Sequence, residues 1–201
     1  MEKWFISKKK ADFIRIGEKF GIDPVIARLI RNRDITGEEE IRRYLSGTLS
    51  DISDPFMMKD ATEACRLLHH AIRGGTRIRI ISDYDVDGVI SNYILWKGLS
   101  DLGGSVDFTI PDRIQDGYGM NSEMAVNAKE DGVGLIITCD NGIAAFDPVK
   151  KAKDLGIEVI VTDHHEVPYQ MEEGRKREIL PPADAVVNPK QESCVYPYKQ
   201  L

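Results

Sequence analysis

The 201-residue chain is 42% hydrophobic and 30% charged, with a formal net charge of −6, a balance that fits a folded globular protein and argues against one coating nucleic acid over its whole surface. No apolar run approaches the roughly 18 residues of a membrane span, and the N-terminus lacks the apolar core of a signal peptide. Three cysteines, Cys65, Cys139 and Cys194, with no Cys-x-x-Cys pair, exclude a disulfide framework and a zinc knuckle and predict reduced thiols in a cytoplasmic protein.

Residues 1–75 read as a small helical extension. The span 11–20 follows a helical pattern stopped by Gly21, and Asp23 with Pro24 supplies the N-cap and first position of a helix running to Asn32. Thr36 and Glu39 predict a capping box for a helix through Tyr44 that Gly47 stops. After a linker over 50–58, Ala61, Cys65, Leu68 and Ile72 recur at helical spacing until Gly74 and Gly75. Basic clusters at 8–10, Arg31 with Arg33, Arg42 with Arg43, and 175–177 are candidates for a local nucleic-acid groove, although such clusters are more often solvated faces.

From residue 77 the period changes. Strands are expected over 77–82, 105–110, 134–138 and 158–162, separated by helical stretches, so they recur about every 24 to 29 residues as βαβ units do. The pattern predicts an α/β domain over 76–201, with a mostly parallel, doubly wound sheet whose ligands bind outside the carboxyl ends of its strands.

Acid and imidazole collect at those ends. The first strand runs into Asp83, Asp85 and Asp87 before Gly88 opens an amphipathic helix; the third runs into Asp140-Asn141-Gly142, and the fourth into Asp163-His164-His165. Three carboxylates within five residues repel one another unless solvated or neutralised by a cation. An EF-hand is a poor alternative, because a strand precedes the motif and Ile94 stands where the loop needs a bidentate Glu. A single capping Asp would account for one of the three, and Asp140-Asn141-Gly142 alone could be a turn. Their convergence with His164 and His165 favours a divalent first-row metal site, with enough ligands for two ions that would clamp a phosphoryl group.

These three motifs resemble those of the DHH phosphoesterase superfamily. Pro111-Asp112-Arg113, Gly117-Tyr118-Gly119, Val187-Asn188-Pro189, Cys194, 32–36 and Asp54-Pro55-Phe56 narrow the resemblance to the RecJ single-strand-specific exonucleases. The resemblance implies a hydrolase using Mn2+ or Mg2+ at a two-metal site to degrade single-stranded DNA from 5′ to 3′ in repair and recombination. It implies Asp85, Asp87, Asp140 and His164 as metal ligands, with Asp140 bridging, and Asp83 and His165 as catalytic groups that support the site or contact phosphate. Arg113 and Tyr118 would lie on the DNA path, and Asp163 and Asn141 would be supporting residues.

Two departures from the family pattern stand out. Ile81 occupies a position where many relatives carry a metal-binding histidine, and the chain ends before the family's fourth motif and before the second domain that grips DNA. The expectation is therefore a domain truncated before that motif and inactive alone. Alternatives are a small-substrate DHH phosphoesterase, such as an oligoribonuclease, cyclic dinucleotide phosphodiesterase or pyrophosphatase; a haloacid-dehalogenase-type phosphatase, which leaves Asp163-His164-His165 without a place; and a degenerate, non-catalytic binding domain.

Overall fold

The computed structural model describes Lys3 and residues 9–199. Helices α1 (Phe13–Phe20), α2 (Pro24–Asn32), α3 (Glu38–Ser46) and α4 (Ala61–Arg73) precede an alternation of β1 (Arg77–Ser82), α5 (Val86–Asp101), β2 (Ser105–Thr109), α6 (Ser122–Glu130), β3 (Val133–Cys139), α7 (Phe146–Asp154) and β4 (Glu158–Thr162). A hairpin of β5 (Tyr169–Glu172) and β6 (Arg175–Glu178) and a short β7 (Ala185–Val187) follow. The main sheet has the order β2-β1-β3-β4-β7, every neighbouring pair parallel.

Both faces of the sheet's centre are covered, which is why β3 and β4 are nearly continuous apolar runs. Successive side chains alternate between faces. Ile81, Ile136, Val159 and Val161 join Met124, Ala125 and Ala128 of α6 and Val149 and Ala152 of α7 in one core layer. Ile78, Ile80, Leu135, Ile137 and Ile160 join Ala64, Leu67 and Ala71 of α4 and Leu99 of α5 in the other.

The chain divides into two compact units, Met1–Ser53 and Asp54–Leu201. The expected division near residue 75 differs from this one because α4 lays its small, buried residues on the sheet and so belongs with it. In the first unit Asp23 caps α2 through the Val25 amide, with Pro24 in the first turn. The capping box of α3 lies one residue later than predicted: Gly37 is the N-cap, and the Glu40 carboxylate accepts from the Gly37 and Thr36 amides.

Two expectations about helix faces are corrected. The buried face of α4 is Ala61, Ala64, Leu67 and Ala71, while Cys65 is exposed; small side chains let the helix approach the sheet closely. The helix after the acidic turn starts at Val86 rather than Gly88 and is not amphipathic, since Val86, Val89, Ile90, Tyr93 and Ile94 all face outward. The additional strands escaped notice for different reasons. The hairpin is nearly all exposed and polar, so it lacks a buried period, and β7 is only three residues long.

Candidate metal centre

Strand order places the chain's reversal between β1 and β3, and the crevice above such a switch point is where open α/β sheets hold ligands. Asp83 and Asp85 follow β1 and Asp140 follows β3, so they meet there. One ligand atom from each of Asp83, Asp85 and Asp140 lies within 4.8 Å of the others, and Asp140, His164 and His165 form a second such group. Asp140 belongs to both.

The backbone holds these groups tightly. Asp85 is the N-cap of α5, its carboxylate accepting from the Gly88 amide at 3.0 Å, and that N–H keeps its pKa below the usual carboxylate range. A side chain at Gly88 would place Cβ 2.3 Å from the Asp83 carbonyl oxygen, so glycine is what lets the helix start this close to β1. Asp140 adopts φ 62°, a left-handed conformation that Asp tolerates. Burial, then the neighbouring Asp85, pushes its pKa up. The two carboxylates thus titrate as a pair whose proton resides on Asp140 more than on Asp85.

Asp83 is 1% exposed, and its Oδ1 has no hydrogen-bond partner among the described residues. A buried, unpaired carboxylate oxygen among other carboxylates is costly unless a cation completes it, so the donor set fits a hard divalent ion. The second group adds imidazole, which suits first-row transition metals, to a carboxylate of the kind manganese takes. His164 Nε2 lies 2.8 Å from Asp140 Oδ1. His165 turns Nδ1 to Asp163 Oδ1 at 2.7 Å, so Nδ1 carries the proton and Nε2 presents its lone pair.

Around these ligands, buried polar residues fix the loops. Asp163 also accepts from the His164, His165 and Ile143 amides, at 2.7, 3.1 and 2.9 Å. The Asn141 side chain donates to the carbonyls of Ile81 and Cys139 at 3.0 Å and accepts from the Met120 amide, tying three loops together. Beside it, burial pushes the Cys139 thiol up to about 11, leaving it protonated and unreactive. The Tyr118 hydroxyl donates to the Asp140 carbonyl at 3.1 Å and stands 3.2 Å from His165 Nε2. Desolvation, followed by the nearby carboxylates, raises its pKa well above the usual phenol range, so it remains a donor. The Tyr118 ring meets Tyr84 edge-on at 6.5 Å, and Arg113 stacks over Tyr84 at 5.5 Å, so a cation and two aromatic rings lead across the rim to His165.

Asp87 lies exposed in the first turn of α5 and is in neither ligand group; Asp83 stands with Asp85 instead. Ile81 is fully buried in the core layer. Asn188, absent from the expected site residues, donates to the His165 carbonyl at 3.0 Å, and Thr138 donates to the Asn141 carbonyl at 2.8 Å. An Asn-Pro step after a β-branched run was the available signal for the first; nothing in the sequence marked the second.

Most of the basic clusters have local partners. Lys9 and Arg31 pair with Asp34, Arg42 with Glu39, Arg43 with Asp51, and Arg177 with Glu172. Lys8 lies outside the described residues. Among the described residues, no helix is long and apolar enough to cross a membrane.

Comparison with known proteins bears on the same stretch. Residues 77–195 match the DHH family, N-terminal domain. The chain is 40% identical, over 99% of its length, to the single-stranded-DNA-specific exonuclease RecJ of Bacillus subtilis, and 36% identical over 90% to that of Escherichia coli. It spans only 24% and 29% of those two proteins. Among solved structures it is similar to exonuclease RecJ bound to manganese (37% identity, TM-score 0.58, 68% of this chain and 32% of that one) and to the Mn2+ complex of RecJ from Thermus thermophilus (29% identity, TM-score 0.61, 88% and 23%). With its sheet, acidic turn and paired histidines all inside the matched region, the chain belongs to the DHH family.

Proposed function

We propose that this chain carries the metal-binding half of a phosphodiesterase site, and that the longer proteins of its kind use it to degrade single-stranded DNA from 5′ to 3′ in repair and recombination, in the cytoplasm. The observation that carries the reading is Asp140 shared between two ligand groups, one all carboxylate and one containing both histidines. Asp83, Asp85 and Asp140 would hold one divalent ion and Asp140, His164 and His165 the other, with Asp87 an outer contributor from the first turn of α5. Bound there, Mn2+ or Mg2+ supplies charge stabilisation at a phosphoryl group and lowers the pKa of water. Single-stranded DNA as substrate is supported by the names of the relatives and by the path formed by Arg113, Tyr84 and Tyr118, since cation and aromatic faces grip unpaired bases without reading sequence.

The protein's own groups have separable tasks. Asp163 holds the His165 tautomer and, through the Ile143 amide, the loop that carries Asp140. Tyr118 keeps its proton next to His165 and donates within the site. Arg113 would meet phosphate.

Because the chain spans about a quarter to a third of the relatives it matches, we assign complete turnover to the longer proteins, in which a fourth-motif aspartate and a second DNA-gripping domain would complete the site. Residues 1–201 should then bind manganese weakly and hydrolyse negligibly. An end-labelled single strand, a duplex control and a dinucleotide, each incubated with the 201-residue chain and with the longer protein plus Mn2+, test this. Robust digestion by the short chain would show that its site is complete, and a longer protein active only on the dinucleotide would move the assignment to a small-substrate phosphoesterase.

A further inference from the structure

A cavity of about 450 Å3 opens beside His165, within the roughly 300–1,000 Å3 of small-molecule sites. Its wall is the Tyr118 ring and His165, and its apolar lining comes from Met120, Ile143, Ala144, Ala145 and Pro148. Met120 and Ile143 are buried, and Asn141 clamps the Met120 amide, so that side of the cavity is rigid. The remaining ionisable groups that line it are carboxylates: Asp163, which is engaged by three amides and His165, and Glu166 at the rim, paired with Lys190.

Among the described residues, no Arg or Lys lines the cavity. A second phosphate would meet two acids there, with Lys190 at the rim already committed to Glu166, whereas a neutral, flat, mostly apolar group would bury its faces against the lining and an aromatic ring. We infer that the cavity is a nucleoside subsite, taking the base and sugar of the nucleotide whose phosphate lies at the metal ligands. This rests on the phosphodiesterase reading above and adds to it where the nucleoside goes. The lining offers few side-chain donors or acceptors, so the subsite accepts any base and grips purines more firmly through their larger faces.

The test uses the 201-residue chain with Mn2+, and its probes are dAMP, 2-deoxyribose 5-phosphate and adenosine. Manganese is titrated first, followed by each probe, with the methyl resonances of Met120, Ile143, Ala144 and Ala145 as reporters. The expected result is that dAMP binds about five- to a hundredfold tighter than the sugar phosphate, the range that stacking of one base supplies, and shifts those methyls while the sugar phosphate does not. Ala144→Trp, which fills the cavity from an exposed position outside both ligand groups, should erase the base-dependent gain and leave manganese binding unchanged. Equal affinity for dAMP and the sugar phosphate in the native chain overturns the inference, as does a folded Ala144→Trp that keeps the gain. If that variant does not fold, the native-chain methyl shifts decide alone. Adenosine, which needs no metal contact, should move the same methyls even if manganese does not bind, so failure of the metal centre and failure of the subsite give different results; unmoved methyls with adenosine and dAMP overturn it.

Discussion

The two ends of the central sheet both collect aspartates, and they treat them oppositely. Toward the amino end, Asp107 at the middle of β2 accepts from Arg79 at 2.7 and 2.9 Å and from Arg77 at 2.9 Å, and Asp131, just before β3, pairs with Arg79 at 2.9 Å. Burial by itself would raise the pKa of Asp107, but the two guanidiniums outweigh it and leave it lowered. At the carboxyl end, Asp85 is held by the Gly88 amide and Asp140 by His164, with no Arg or Lys paired to either among the described residues; an Asp83 oxygen is buried without a partner there, and Asp140 is raised. The aspartates at the amino end come with their cations built in; Asp83, Asp85 and Asp140 have no Arg or Lys partner among the described residues, which suits a metal site.

The strongest way to break this contrast is through activity. In the longer protein, Asp140→Ala should reduce manganese-dependent cleavage by about a thousandfold or more, equivalent to about 4 kcal/mol of transition-state stabilisation, because one residue serves both ions. Asp107→Asn should leave the rate per folded molecule near wild type. Similar losses in single-turnover assays would mean that the two ends do not divide the work in this way.

Stability should show the reverse order. Arg79 is buried between two carboxylates, so Arg79→Leu removes the ion pair of Asp131 and leaves Asp107 with Arg77 alone, and that remaining pair together with the partial exposure of Asp107 and Asp131 limits the expected cost to about 2 kcal/mol. Urea unfolding of the 201-residue chain measures it; a loss under about 0.5 kcal/mol, within the range of an ordinary surface substitution, would show that the network is solvated rather than structural.

A smaller effect sharpens the carboxyl end. Ligands that bind only the native state stabilise it by mass action, so manganese at ten times its dissociation constant should add about 1.4 kcal/mol to the native chain. An Asp85→Ala, Asp140→Ala double variant should gain nothing. Equal gains in thermal melts would remove the metal assignment from these residues.

The sequence was most legible where one rule governed both pattern and place. β-branched runs between turns mark four of the five parallel strands, and the rule that ligands gather at strand ends puts Asp85, Asp140 and His164 on one rim. It was less legible where contacts, not periods, decide. Asp83 and Asp87 are chemically alike, and only the start of α5 at Val86 puts one beside Asp85 and the other on an exposed helical turn. The outward face of α5 misled for a related reason: its apolar residues run around the whole helix, so periodicity could not tell its covered side from its open one. Thr138 acts through a single hydrogen bond to the Asn141 carbonyl, which no spacing announces.

The finest discrimination comes from the protonation of Asp140 itself. A carboxyl whose folded pKa is raised favours the native state only while protonated; that contribution is complete below the ordinary value of 3.8 and is lost as pH rises through the higher folded value. As pH rises and Asp140 loses that proton, its charge, buried and next to Asp85, works against folding. Asparagine keeps the shape, tolerates φ 62° and removes the charge. In chelator at pH 7, Asp140→Asn should raise stability by up to about 1 kcal/mol, with the gain shrinking toward about pH 4 as the native carboxyl takes up its proton. Asp107→Asn should do the opposite, losing stability at pH 7 and progressively less as acid protonates the native group, because its folded pKa is lowered. Thermal melts of the three chains across that pH range compare both ends at once. A clear loss of stability for Asp140→Asn at pH 7 would mean that its contact with His164 is a structural ion pair, and the carboxyl end would then be built on the same terms as the amino end.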